Sequence, residues 1–491
     1  MEPSKCGGAM PPHKQPKSLF KIALLHVEYL VSISCKNIQA TCGIYDENAC
    51  QEQIKFLQGY LLSNIPGMVL DEVCEERSIS VKQDLRISLA VYMHSNMRKF
   101  SVNNRTVDVK IDFDEAFWLE RLSRLHNLVV LDLHLVCTDE ILHVVGANCQ
   151  KLEQINIVSK MEPVHITNET HEIFNALKLK FFVSDVGLYY LCNCKLLKKS
   201  LPYLQNITYD DMGLVISDEM EGVATLPLTH LSDYHPQPNH IAAASRLCSN
   251  LQHLCLQFPS QTSVCSAADV LESLALSDIR VSVLELIQFP FSREMAHLLE
   301  KKGIYLRSLL LLICADYISS SVIRLIGQSC PNLKNLHLKK NLGDTDSNAN
   351  IVDTYVPCHV EQMFRNLRCL YIGGRDWNPA EVLPLCLLHA HQLETLTILQ
   401  MFHQGSLDDV IAQVVATNPL LELKAVHMFT CQVLSMATIR YFFKNCPNLT
   451  ELSFLQNPDI TSEDVKSLYD EVERNNLDLK IYSMELDRLV A

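Results

Sequence analysis

Along most of the chain, large apolar residues (Φ) recur in one phrase, Φ-x-x-Φ-x-Φ. It reads Leu128/Leu131/Leu133, Leu152/Ile155/Ile157, Leu251/Leu254/Leu256, Val281/Leu284/Leu286 and Leu306/Leu309/Leu311. It continues as Leu333/Leu336/Leu338, Leu367/Leu370/Ile372, Leu393/Leu396/Ile398 and Leu449/Leu452/Phe454. Weaker copies lie at Met97/Phe100/Val102, Phe174/Leu177/Leu179 and Leu423/Val426/Met428. The intervals run from 24 residues (128 to 152) to 34 (333 to 367). Chance yields one or two such phrases in a leucine-rich chain, not nine at quasi-regular spacing. Alternation at the end of each phrase predicts a short strand, because strand side chains point to opposite faces in turn. A period of 20–29 residues is that of a leucine-rich repeat, and the longer intervals imply insertions.

Between the predicted strands lie stretches with apolar residues at helical spacing, such as Thr138–Ala147 and Ser320–Gln328. Before the next strand comes a cysteine corner: Cys149-Gln-Lys-Leu152, Cys248-Ser-Asn-Leu251, Cys330-Pro-Asn-Leu333 and Cys446-Pro-Asn-Leu449. Proline after the cysteine stops the helix and asparagine leads into the strand. Val183-Ser-Asp-Val-Gly-Leu188 and Ile460-Thr-Ser-Glu-Asp-Val465 have the form of helix starts, with Ser184 and Thr461 as N-caps.

These corners and the Val183–Leu188 phrase resemble the cysteine-containing leucine-rich repeats of ubiquitin-ligase substrate receptors. The resemblance covers roughly residues 97–482 and is poor from about 181 to 245. The expected fold is α/β: a leucine-rich-repeat solenoid with a parallel concave sheet, convex helices and an N-terminal helical segment. Residues 1–17 are expected to be disordered, 18–96 helical, and 97–491 to form an arc of about 11–13 irregular repeats.

Each Φ points into the core, so the residues between them face outward on the concave side, the usual binding surface of such arcs. The substrate-binding candidates are Asp132, His134, Val283, Glu285, Ile287, Leu310, Leu312 and His337. The strand around Leu306–Ile313 is apolar on both faces, which places Leu310 and Leu312 outward beside Val283 and Ile287. Such a patch marks a partner site, unless the Asp-, Asn- and Ser-rich insert from Asn341 to Cys358 covers it.

Residues 18–95 lack the repeat and read as helices near 18–39, 49–62, 66–76 and 82–95. A helical cap on a repeat array accounts for them. Two short patterns give a second account. Ser18-Leu19-x-x-x-Ala23-x-x-x-Val27 resembles the Elongin-binding box, Leu-x-x-x-Cys-x-x-x-Φ after Ser or Thr, with alanine at the cysteine position. Four-residue spacing puts Leu19, Ala23 and Val27 on one helix face, as docking into a partner groove requires. Ile65-Pro66-x-x-Val69-x-x-x-Val73 resembles the cullin-selecting box of von Hippel–Lindau-type receptors. Proline sits at the first helical turn there, with Val69 and Val73 on one face. An F-box also begins with a Φ-Pro helix and would bring in a Skp adaptor. It needs a tryptophan in its later helices, and none precedes Trp118. The resemblance therefore implies a substrate-recognition subunit of a cullin-RING ligase docked on Elongin B/C. The alternatives are a plain interaction scaffold or an F-box-type receptor.

Composition narrows the classes further. The 491 residues exceed one ordinary core, which a repeat array accommodates. A net charge of −14 opposes phosphate-backbone binding, so no nucleic acid is expected. An odd 19 cysteines, several inside apolar repeat segments, predict buried free thiols in a reducing compartment, the cytoplasm with the nucleus second. The apolar stretch Leu19–Ile33 carries Lys21, His26 and Glu28, and reads as an amphipathic helix rather than a membrane span. No phosphate loop, dinucleotide fingerprint, nucleophile elbow or H-E-x-x-H phrase occurs, and Cys192/Cys194 and His389/His391 lack zinc-site spacing. No enzyme activity, cofactor or metal is expected.

Overall fold

The computed structural model describes residues 11–12, 19–42, 47–66, 69–71, 85–101, 115–133, 138–156, 181–183, 205–209, 225–258, 265–314, 318–340, 363–374, 377–399, 407–431, 434–454, 457 and 459–482. It divides into two units. The first comprises Pro16–Asp233 with Arg246–Asn250, the second Met1–Gln15, Tyr234–Ser245 and Leu251–Ala491.

The first unit opens with helices α1 (Leu19–Cys42), α2 (Glu47–Asn64) and α3 (Leu85–Tyr92), which pack on one another. The Gln58 amide donates to the carbonyls of Ala90 and, at 3.0 Å, Met93, tying α2 to the end of α3. Repeats then begin with β1 (Lys99–Ser101), α4 (Glu115–Leu122), β2 (Val130–Asp132), α5 (Asp139–Asn148) and β3 (Gln154–Asn156). β4 (Phe181–Val183), β5 (Asn206–Tyr209) and β6 (His230–Asp233) complete a parallel run in sequence order. The phrase at Phe174/Leu177/Leu179 lies outside the described residues, and the strand found in that stretch is Phe181–Val183.

The second unit is more regular. β7 (His253–Gln257), β8 (Val283–Ile287), β9 (Ser308–Cys314), β10 (Asn335–Lys340), β11 (Cys369–Gly373), β12 (Thr395–Leu399), β13 (Ala425–Phe429), β14 (Glu451–Ser453) and β15 (Lys480–Tyr482) pair in parallel, each with the next. Between them run α7 (Ala267–Leu276), α8 (Arg293–Lys302), α9 (Ser320–Ser329), α10 (Pro379–Leu387), α11 (Leu407–Thr417), α12 (Met436–Asn445) and α13 (Ser462–Arg474), while α6 (Pro238–Leu247) precedes β7. This is a leucine-rich-repeat architecture, as the recurring phrase predicts.

The same few residues build each turn. The Φ leucines, among them Leu284, Leu309, Leu336, Leu370 and Leu396, are buried between strands and helices. Where the corner carries a cysteine, it closes the helix: the Cys330 N–H donates to the Ile326 carbonyl at 2.9 Å and the Cys446 N–H to Phe442 at 3.0 Å. Its thiol fills the core and is held free. Where the corner carries an asparagine, that residue stitches its turn to the one before. Its amide donates from Asn332 to Ile304 O at 2.8 Å, from Asn366 to Pro331 O at 3.1 Å, and from Asn448 to Leu421 O at 2.8 Å. Helix starts are capped by Ser266, Ser292, Ser319, Ser435 and Thr461. Thr461 and Asp464 form a reciprocal capping box. Ser184, the other expected cap, lies outside the described residues.

Candidate functional site

Two surfaces carry the residues singled out by sequence. The first is the outer side of α1 and α2. Leu24, Val31, Cys35 and Ile38 of α1 are buried. A repeat helix would present a polar back, but the back of α1 is apolar. Leu19 is 82% exposed, Tyr29 62%, and Phe20, Ile22, Leu25, Leu30 and Ile33 are exposed as well. On α2, Phe56 and Tyr60 stand out at 76% and 59%. Nine of the fifteen exposed large apolar residues among the described ones thus lie on these two helices. α1 thus has a buried apolar stripe, as an amphipathic helix should, and carries further apolar residues on its open side among Lys21, His26 and Lys36.

Of the box residues, Leu19 and Ala23 are exposed and Val27 is half-buried on α1. Pro66 is exposed, Ile65 and Val69 are half-buried, and Val73 lies outside the described residues. The Val69 N–H donates to the Pro66 carbonyl at 2.9 Å, so the proline does open a turn. Sequence reasoning passed over Ile22, Tyr29, Ile33, Phe56 and Tyr60, although spacings of seven and four residues put the first three on one stripe.

The second surface is the outward strand face of the second unit. Register places Glu285 beside Leu310, Leu310 beside His337, His337 beside Tyr371, Tyr371 beside Thr397, and Thr397 beside His427. Val283, Glu285, Ile287, Leu310, Leu312 and His337 all sit on this face and are half-buried, so Leu310 and Leu312 are less open than an uncovered strand predicts. The insert Asn341–Cys358 lies outside the described residues, as does His134. Asp132 is on β2 of the first unit and accepts from the Ser101 hydroxyl at 3.0 Å.

The charge on this face is organised around Glu285. His253 Nε2 stands 3.1 Å from its Oε1. That contact with His253 holds the Glu285 carboxyl below the usual glutamate range, against the opposing effect of burial. Burial pushes the His337 imidazole down, with Glu285 pulling the other way. The His337 and Tyr371 rings stack with centroids 5.5 Å apart, and burial raises the Tyr371 phenol. His427 lies parallel to Phe429 at 6.0 Å. A Cβ at Gly373 would meet the Tyr371 ring at 3.2 Å, so glycine lets the tyrosine lean along its strand. Tyr371, His427 and Phe429 are outward positions of the weaker or later repeats. Reading alternate residues through those phrases would have found them.

The arrangement offers shape and mixed polarity rather than reaction chemistry. Burial drives the Cys149 thiol up to about 11 and Cys248, Cys330 and Cys446 to about 12, which suits core packing and not nucleophilic attack. No group of three metal-ligating side chains is placed to hold an ion among the described residues. His391 instead pairs its Nδ1 with the Asn418 side-chain oxygen at 3.1 Å. No helix among the described residues is long and apolar enough to cross a membrane.

No family model and no curated protein matches the chain. Among solved structures it is similar to a chain in the crystal structure of the Rad7 and Elc1 complex in yeast. The TM-score is 0.47 at 13% identity, with 96% of this chain and 100% of that chain covered. A likeness at this level carries no inference about partners.

Proposed function

We propose that this chain is a non-catalytic substrate receptor of a cullin-RING ubiquitin ligase, docking Elongin B/C through its N-terminal helices and holding a client protein on the strand face. The observation that carries the reading is the unpartnered apolar back of α1, beginning at Leu19. A helix that merely capped the array would turn its apolar residues inward. Here Leu24, Val31 and Ile38 already serve that purpose, and a second set is left for another protein. The Elongin-box pattern starts on that open side, with Leu19 and Ala23 exposed, and the Φ-Pro turn at Pro66 is exposed downstream. The client side is the row from Glu285 to His427, which mixes aliphatic, aromatic and ionised groups as protein interfaces do. The receptor's contribution would be proximity: it would raise the effective concentration of client lysines near the conjugating enzyme.

The test is purification from cells of the full chain and of the double variant Leu19→Ser, Pro66→Ala. Elongin B/C and a cullin recovered with the first and lost with the second support the reading. Recovery of a Skp adaptor assigns the F-box alternative instead. Absence of any ligase subunit from both, with unchanged folding, leaves an interaction scaffold.

A further inference from the structure

We propose that the chain self-associates through α1, two copies pairing their helices antiparallel along one seam. Leu19, Ile22, His26, Tyr29 and Ile33 follow one another at spacings of three, four, three and four residues. That alternation is the a/d stripe of a coiled coil. All five side chains are exposed. The residues diametrically opposite in this heptad are Leu24, Val31 and Ile38, and all three are buried. The helix therefore rests on its own unit by one edge and offers a complete seam on the other. Leu25 and Leu30 flank the seam, and both are exposed.

The seam is self-complementary in one orientation. In an antiparallel pair, a positions meet d positions of the other copy. With Ile22 set against Ile33, His26 falls against Tyr29, and Leu19 against the aliphatic stem of Lys36. The two apolar layers from Ile22 and Ile33 lie outside two imidazole–phenol layers, in which each polar group meets a possible hydrogen-bond partner rather than its own kind. A parallel pair would set His26 against His26 and Lys36 against Lys36. The two-fold relation makes the contact isologous and closes it at two copies. From residue 22 to residue 33 the seam is only about 17 Å long at 1.5 Å per residue, so the expected association is reversible and concentration-dependent. This inference does not rest on the ligase reading. Leu19 belongs to both surfaces, however, so pairing and adaptor docking would compete for it.

Sedimentation equilibrium of the full chain, from micromolar to sub-millimolar concentration, tests the pairing. The mass is expected to rise from 55.7 kDa toward twice that value. Ile22→Lys and Ile33→Glu, each alone, are expected to weaken association by about tenfold or more, because each buries an unpaired charge in the seam. The two together restore it, since every lysine then meets a glutamate of the other copy. A chain monomeric throughout this range overturns the proposal, and so does a double variant no better than the singles. Ile33→Glu leaves Leu19, Ala23 and Val27 intact, so its recovery of Elongin B/C separates failure of the seam from failure of the ligase reading.

Discussion

The helices of the repeats and the helices at the N-terminus use apolar residues in opposite ways. In the second unit the repeat helices bury their apolar stripes: α12 buries Ile439, Phe442 and Phe443, and α13 buries Val465, Leu468 and Val472. Apart from Tyr469 on α13 their exposed sides are polar, and their ends are tied down by Ser435, Thr461 and the corner residues. α1 buries an equivalent stripe and then carries a second one into solvent. Surface apolar residues scattered singly need no explanation, whereas a contiguous set does. On the reading proposed above, the first set serves stability and the second association, and the difference can be tested by substitution on either side.

The largest expected effect is in the repeats. Phe442→Ala empties a fully buried site and is expected to cost about 3–5 kcal/mol in urea denaturation. Next comes Asn418, which is 1% exposed. Its amide donates to Leu387 O at 2.7 Å while its oxygen accepts from the Leu420 N–H. Asn418→Ala strands both of these backbone groups, removes the His391 contact as well, and should cost about 1–3 kcal/mol. Thr461→Ala removes half of a capping box and should cost about 1 kcal/mol.

A further effect appears only against pH. His94, just beyond α3, is 4% exposed, and neither ring nitrogen has a hydrogen-bond partner among the described residues. Burial holds its pKa below the usual 6.5. The unfolded chain takes up this proton as pH falls through 6.5, while the folded chain resists it. The stability contribution is therefore whole above that pH and is lost progressively below it, down to the folded pKa. Urea midpoints measured across this range should fall less steeply for His94→Leu than for the parent chain.

The smallest effect on stability is expected on the open side of α1. Tyr29→Gln should change the unfolding free energy by no more than about 0.5 kcal/mol, because the side chain is 62% exposed. A loss of about 2 kcal/mol there would show that α1 is covered after all and would erase the contrast.

Much of the repeat was legible because its inward positions admit only large apolar residues, and every core contact repeats that demand. β6 escaped notice because its phrase, Leu228-x-x-Leu231-x-Asp233, ends in an aspartate that is nonetheless 2% exposed. A buried acid at a core position breaks the pattern without breaking the strand. Helices were legible too where α1, α2 and α3 lie, but the use made of α1 was not. The dense apolar sequence from Leu19 to Ile33 conceals which of its apolar residues face the chain's own core and which face away. Only the packing of α1 against α2 and α3 separates Leu24 and Val31 from Ile22 and Tyr29. On the strand face the outward residues could be named, but the pairing of Glu285 with His253 and the stacking of Tyr371 on His337 depend on register across strands, which one strand's sequence does not carry.

The central claim is that the open side of α1 exists to bind protein, with Leu19 at the adaptor contact. The most direct test is calorimetric titration of purified Elongin B/C into the purified full chain and into Leu19→Ser. The account predicts saturable binding by the parent chain and at least about tenfold weaker binding by the variant, with the same unfolding midpoint for both. No binding by the parent chain, or equal binding by the two, would contradict it.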